Sequence, residues 1–133
     1  MFGLFKKKKP ERPVFENLNQ SEYKDKYFYR TSPWDWFQDG MIHIFNINAP
    51  RVVTMDPWPQ LVYLESTGQQ TVSEFIYATA ALYSKKEGVP SDLDINILDT
   101  LSSLVKDGLV ILSSEKKQLE DAILLSKSEL KSN

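Results

Sequence analysis

Between Thr71 and Leu112 the chain spells out its own element boundaries, and this stretch constrains the fold more than any other. Thr71-Val72-Ser73-Glu74 sets a Thr three residues before a Glu, the spacing at which each side chain satisfies the other's backbone N–H at a helix start. Phe75, Ile76, Thr79, Leu82 and Tyr83 then fall on one helical stripe. Gly88 offers a left-handed stop and Pro90 forbids continuation. Ser91 and Asp94 repeat the capping spacing, and Leu98, Leu101, Leu104 and Val105 line a helix expected from Ser91 to Asp107. Asp107-Gly108 ends it, and Leu109-Val110-Ile111-Leu112 is an apolar run of strand length.

Upstream, strands are expected. Tyr27–Thr31 is dense in strand formers, and Asp39-Gly40 is a short-loop signal. Met41–Ile47 and Arg51–Met55 follow, joined through Asn48-Ala49-Pro50. Three consecutive strands with short connections predict an antiparallel meander. Asp56-Pro57 then opens a short helix with Trp58, Leu61, Val62 and Leu64 on its buried side, and Glu65–Gln70 is its hinge to the next. Past Leu112, Ser113 or Ser114 caps a last helix with Leu119, Ala122, Ile123 and Leu130 near one face. The expected fold is therefore α+β and winged-helix-like: a three-stranded antiparallel meander, three helices, a short strand and a C-terminal helix. Residues 1–22 are expected to be a flexible basic tail, 23–113 the domain, and 114–133 the amphipathic C-terminal helix.

At 133 residues the chain is large enough for a core without metal or disulfide support. It contains no Cys, which excludes disulfides, thiolate catalysis and Cys-based metal sites. No apolar run approaches the roughly 18–20 residues of a membrane span. At the N-terminus, charge follows the apolar residues, the wrong order for a secretory signal, so a cytoplasmic location is expected. Residues 1–13 hold five cations against one anion, a net of +4, which leaves −6 for the rest of a chain whose total is −2. A globular part of that sign is poorly suited to phosphate backbones. The lysine run Lys6–Lys9 admits a weak membrane-surface contact or simple solvation.

Few residues could carry chemistry. His43 is the only His and sits among apolar neighbours without a nucleophile or orienting partner, so a structural or surface role is expected. Asp92, Asp94 and Asp99 lack the Gly and closing Glu of a calcium loop and read as a solvated first turn. The glycines form no phosphate-cradling loop. No catalytic residue, metal or cofactor is expected. The Ser91–Asp107 helix carries Asp92, Asp94, Asp99 and Asp107 against Lys106, which argues against a DNA-reading helix. Tyr27, Phe28, Tyr29, Trp34, Trp36 and Phe37 could form an interaction face, but the packed side of a sheet is the simpler expectation.

Met41–Ile47, Asn48-Ala49-Pro50, Arg51–Met55, Asp56-Pro57-Trp58 and Gly68-Gln69-Gln70-Thr71-Val72-Ser73-Glu74-Phe75 together resemble PqqD-like proteins, as do Glu87-Gly88-Val89-Pro90 and Lys106-Asp107-Gly108-Leu109. These are peptide chaperones of pyrroloquinoline-quinone biosynthesis and related precursor-peptide recognition elements. The resemblance spans roughly Tyr27 to Leu112 and implies a non-catalytic module that presents a leader peptide to a modifying enzyme. It implies that the peptide adds as a strand along Arg51, Val52, Val53, Thr54 and Met55, with Leu98, Leu101, Ser102 and Val105 as the groove wall. An open edge beside an apolar helix suits strand addition. The Lys-rich tail, the Trp34–Phe37 stretch and the C-terminal helix lie outside the pattern, and that helix would either cover the groove or build a homodimer. A structural or dimerisation adaptor and a winged-helix transcription regulator are the alternatives.

Overall fold

The computed structural model describes residues 13–46 and 51–132. The lysine run and the Asn48-Ala49-Pro50 turn lie outside them. The fold is mixed α+β, built on two antiparallel three-stranded sheets. In chain order the elements are α1 (Glu16–Gln20), β1 (Tyr27–Arg30), β2 (Trp34–Trp36), β3 (Ile42–Asn46), β4 (Arg51–Thr54), α2 (Pro57–Glu65), β5 (Thr67–Thr71), α3 (Val72–Ala80), α4 (Leu93–Lys106), β6 (Val110–Ser113), α5 (Asp121–Leu124) and α6 (Lys127–Ser132).

The meander exists, but with a different first strand. Its order is β2–β3–β4, with Trp34 opposite Ile44 and Ile44 opposite Val53. Tyr27–Arg30 instead occupies the centre of the second sheet, in the order β5–β1–β6. The chain changes sheets at Thr31-Ser32-Pro33, where the Thr31 N–H and hydroxyl both turn to the strand's end at Leu109 and Gly108. Proline cannot donate to a ladder, and β2 starts anew after it. Most of Glu65–Gln70, expected as a hinge, falls within β5 (Thr67–Thr71) because it can pair with β1. Gly68 allows this with a left-handed backbone, φ +81°, and a Cβ there would run into the Lys117 carbonyl.

The Thr71–Glu74 capping box forms as the spacing predicts, with Glu74 N–H donating to Thr71 Oγ1 (3.1 Å) and Thr71 N–H to Glu74 Oε1 (2.9 Å). Helix α3 stops at Ala80, short of the expected Leu82 and Tyr83. Leu82 projects into solvent, and Gly88 closes a separate turn in which its N–H reaches the Ser84 carbonyl. Within the stretch expected to be a flexible tail, residues 1–22, the described part includes α1 and packs on the core. Phe15 and Leu18 are core residues, and the Leu18 N–H donates to Asp94 Oδ2 at 3.1 Å. Asp94, read from sequence as a solvated first-turn acid, is only 1% exposed for this reason.

The helix expected over 114–133 does not start at Ser113 or Ser114: residues 114–120 are not helical, α5 begins at Asp121, and the segment breaks again at Leu125, whose backbone is extended. Ser126 and Glu129 then form a second capping box that starts α6. Arg30 fixes this segment to the core. Its Nε donates to the Ile123 carbonyl (3.0 Å), Nη2 to Leu124 (2.7 Å) and Nη1 to Leu64 (2.8 Å). Burial pulls the Arg30 pKa down, with the charges of Tyr63 and Glu65 acting the other way. The four-carbonyl cradle, completed by Tyr63, supplies acceptors that replace lost water.

Candidate functional site

The two edges of the β2–β3–β4 sheet are treated differently. Beside β2 lies α6, whose start is held by Asp35: the Ser128 N–H and hydroxyl both donate to its carboxylate, the hydroxyl at 2.8 Å. Burial at Asp35 opposes its charge, but these hydrogen bonds outweigh it and hold the carboxyl below its ordinary pKa. At the other end of the sheet, β4 pairs with β3 alone among the described residues. Half of its backbone hydrogen-bonding groups therefore have no strand partner among the described residues, the condition for another strand to add.

Along β4 the side chains alternate. Val53 and Met55 lean on the core, whereas Val52 is 54% exposed and Thr54 is also exposed. Between β4 and α4 lies a cleft of about 410 Å³. Val53, Met55, Pro59, Leu104 and Leu109 give it apolar surface, and Thr54, Thr100 and Ser103 add hydroxyls. Asp56, Asp99 and Asp107 are also among its walls, with no Lys, Arg or His among the described lining residues. Residues 99, 103 and 107 recur every four positions and so share one flank of the helix. None of the described C-terminal residues is among this lining.

The strand half of the expected site is placed together: Val52, Val53, Thr54 and Met55 run along the open edge, and Arg51 begins the strand. The helix half is not. Leu101 is 1% exposed and belongs to the core, Leu98 and Val105 pack beside it, and Ser102 is exposed. Leu98, Ser102 and Val105 lie on the flank of α4 away from the cleft. The wall facing β4 is Asp99, Thr100, Ser103, Leu104 and Asp107. The signal for this wall in the sequence is the four-residue spacing of Asp99, Ser103 and Asp107, which lies on a different flank from the apolar stripe through Leu98, Leu101 and Val105.

Val105 borders a larger hollow, about 860 Å³, between the β1–β6 face and residues 117–123. The chain's own segment roofs that hollow, and Lys117 N–H fastens the roof to the Gly68 carbonyl at 2.9 Å. The smaller cleft is the better candidate because it adjoins the open strand.

The aromatic stretch divides. Phe28 and Trp34 are buried, whereas Trp36 (49%) and Phe37 (47%) project from the β2–β3 hairpin with Met41. His43 is half-buried on β3 and stacks on Phe37 at 4.0 Å between ring centroids. Among the described residues no group of three or more acidic or His side chains is arranged to hold a metal. No helix of the described residues is long and apolar enough to cross a membrane. Compared with family models, curated proteins and solved structures, the chain finds no match.

Proposed function

We propose that this is a non-catalytic peptide-binding module in which an extended segment adds to β4 and rests in the cleft against α4. The open β4 edge beside a partly apolar cleft carries this reading. Main-chain hydrogen bonds would give affinity, and alternate side chains seated over Val53, Met55 and Leu104 would give selectivity. The succession α2, β5, α3, α4, β6, with β1 between the two outer strands, supports a winged-helix-like unit of the PqqD kind. On this reading the chain is cytoplasmic and hands its peptide to a separate modifying enzyme. The test is a backbone-amide NMR titration with short peptides encoded beside this chain. Shifts at Val52–Met55 and Asp99–Asp107 are expected; shifts confined to the C-terminal segment would overturn the assignment.

A second reading, an adaptor that dimerises, draws on exposed Trp36, Phe37 and Met41. Light scattering decides it: a dimer lost in the double variant Trp36→Ser, Phe37→Ser would favour the adaptor. DNA reading is disfavoured by the acidic flank of α4, where Asp99 and Asp107 would face phosphate.

A further inference from the structure

We propose that the hollow between the β1–β6 face and residues 117–123 is a binding site for a small anionic amphiphile, a carboxylate carried on an apolar body of roughly eight to twelve carbons. It is a different place from the β4 edge, and the inference stands whether or not a peptide adds there.

The volume of the hollow, about 860 Å³, lies within the range of pockets that hold small organic ligands. Val105, Val110, Ile111, Leu112, Leu119 and Ile123 give it an apolar wall. Ile111 is still 43% exposed, and an apolar body laid against it would take that surface out of water. The roof is pinned by polar bonds at both ends, so it does not sink onto this wall. At one end the Lys117 N–H donates to the Gly68 carbonyl, and the Gln69 side-chain amide donates to the Lys117 carbonyl, each at 2.9 Å. At the other the Ile123 carbonyl accepts from Arg30 Nε and from the Trp34 indole N–H, each at 3.0 Å. A cavity formed in advance costs its ligand little ordering of the protein.

Two cations in the lining set the sign of the head group. Arg30 is 3% exposed, and its guanidinium donates to the neutral carbonyls of Tyr63, Leu64, Ile123 and Leu124. Glu65 attracts it through space without a hydrogen bond. A guanidinium has five N–H donors, so four such bonds leave one for a further acceptor. Lys117 is exposed on the roof, with its ammonium over the Tyr29 ring, 5.8 Å from the centroid. Glu120 is the one acid among the described lining residues, and it is exposed. A carboxylate in the hollow therefore gains charge-assisted contacts that a neutral or cationic head group does not.

Backbone-amide NMR of the full-length chain, titrated with octanoate, 1-octanol or octyltrimethylammonium below micelle-forming concentrations, tests the site. Octanoate is expected to shift the amides of Tyr29–Thr31, Val110–Leu112 and 117–123, and to bind about tenfold more tightly than either of the others. Lys117→Gln removes the charge but keeps the main-chain bond to Gly68, so it should weaken octanoate about three- to tenfold and leave 1-octanol unchanged. Ile111→Trp, at an exposed position, should fill the hollow and abolish the octanoate shifts while the amides of α3 and of the β2–β3–β4 sheet stay in their native places. Octanoate shifts that are absent, that centre on Trp36, Phe37 and Met41, or that either of the other amphiphiles matches at equal concentration would overturn the proposal. Native octanoate affinity in Lys117→Gln would do the same. Peptide shifts at Val52–Met55 are read separately, so failure at the hollow leaves the β4 site standing, and failure at β4 leaves the hollow.

Discussion

At the scale of single residues, the orientation of α4 can be tested by neighbours. Leu101 is buried and Ser102 exposed, so Leu101→Ala should cost about 2–5 kcal/mol in urea unfolding and Ser102→Ala less than about 0.5 kcal/mol. Similar losses at both positions would mean the helix is rotated. Tyr63 gives a second test. It is buried, its hydroxyl donates to the Ser32 carbonyl at 2.8 Å, and burial pushes its pKa up to about 12. The unfolded chain ionises this group near the usual Tyr value of about 10, so folding stability is intact below that and declines as pH rises toward the folded value. Tyr63→Phe should flatten the loss by roughly 2–3 kcal/mol, read from urea midpoints across the alkaline range. Local signals of this kind are legible in sequence when both partners are close in the chain. Thr71 and Glu74 sit three apart and their box was readable; Asp94 looked solvated because its partner, the Leu18 N–H, is remote.

At the scale of elements, the capping box predicts an acid-sensitive start to α3. Its hydrogen bonds to the Thr71 backbone and side chain hold the Glu74 carboxyl below its ordinary pKa. A depressed acid stabilises the fold above its unfolded pKa and loses that contribution as pH falls through the folded one. Thr71→Ala removes the N-cap hydroxyl, a loss of about 1 kcal/mol near neutrality for such caps, and the gap between the two proteins should narrow in acid melts as Glu74 protonates. The C-terminal segment gives another outcome. Gly68→Ala forces a Cβ into the Lys117 carbonyl at a left-handed backbone, so hydrogen exchange at residues 117–124 should rise at least tenfold while α4 stays protected. Strands and helices themselves were largely visible: β4 and α4 fall within about two residues of expectation. Their partners were not, because pairing is a long-range choice. Tyr27–Arg30 carries strand propensity that suits either sheet, and only the packing of Phe28 on Phe75 and the Arg30 cradle place it between β5 and β6. The break at Leu125 was written in Ser126 and Glu129, masked by apolar residues that suited one continuous helix.

For the molecule as a whole, the sign of the charge and the position of the open edge point the same way. Acidic groups gather where a guest would lie, so guest binding should weaken for anionic peptides and fall with Asp99→Asn, Asp107→Asn for cationic ones. Calorimetric titration of a matched Lys-bearing and Glu-bearing pair checks this, and equal affinity for both would contradict it. The open β4 edge also has a consequence for self-association through the β2–β3–β4 sheet. Two molecules joined β4 to β4 about a twofold axis would make one six-stranded ribbon whose outer margins are both β2, each flanked by α6. In such a pair both margins would carry an Asp35 engaged by Ser128 of α6, so the C-terminal segments would sit at the two far ends of the ribbon.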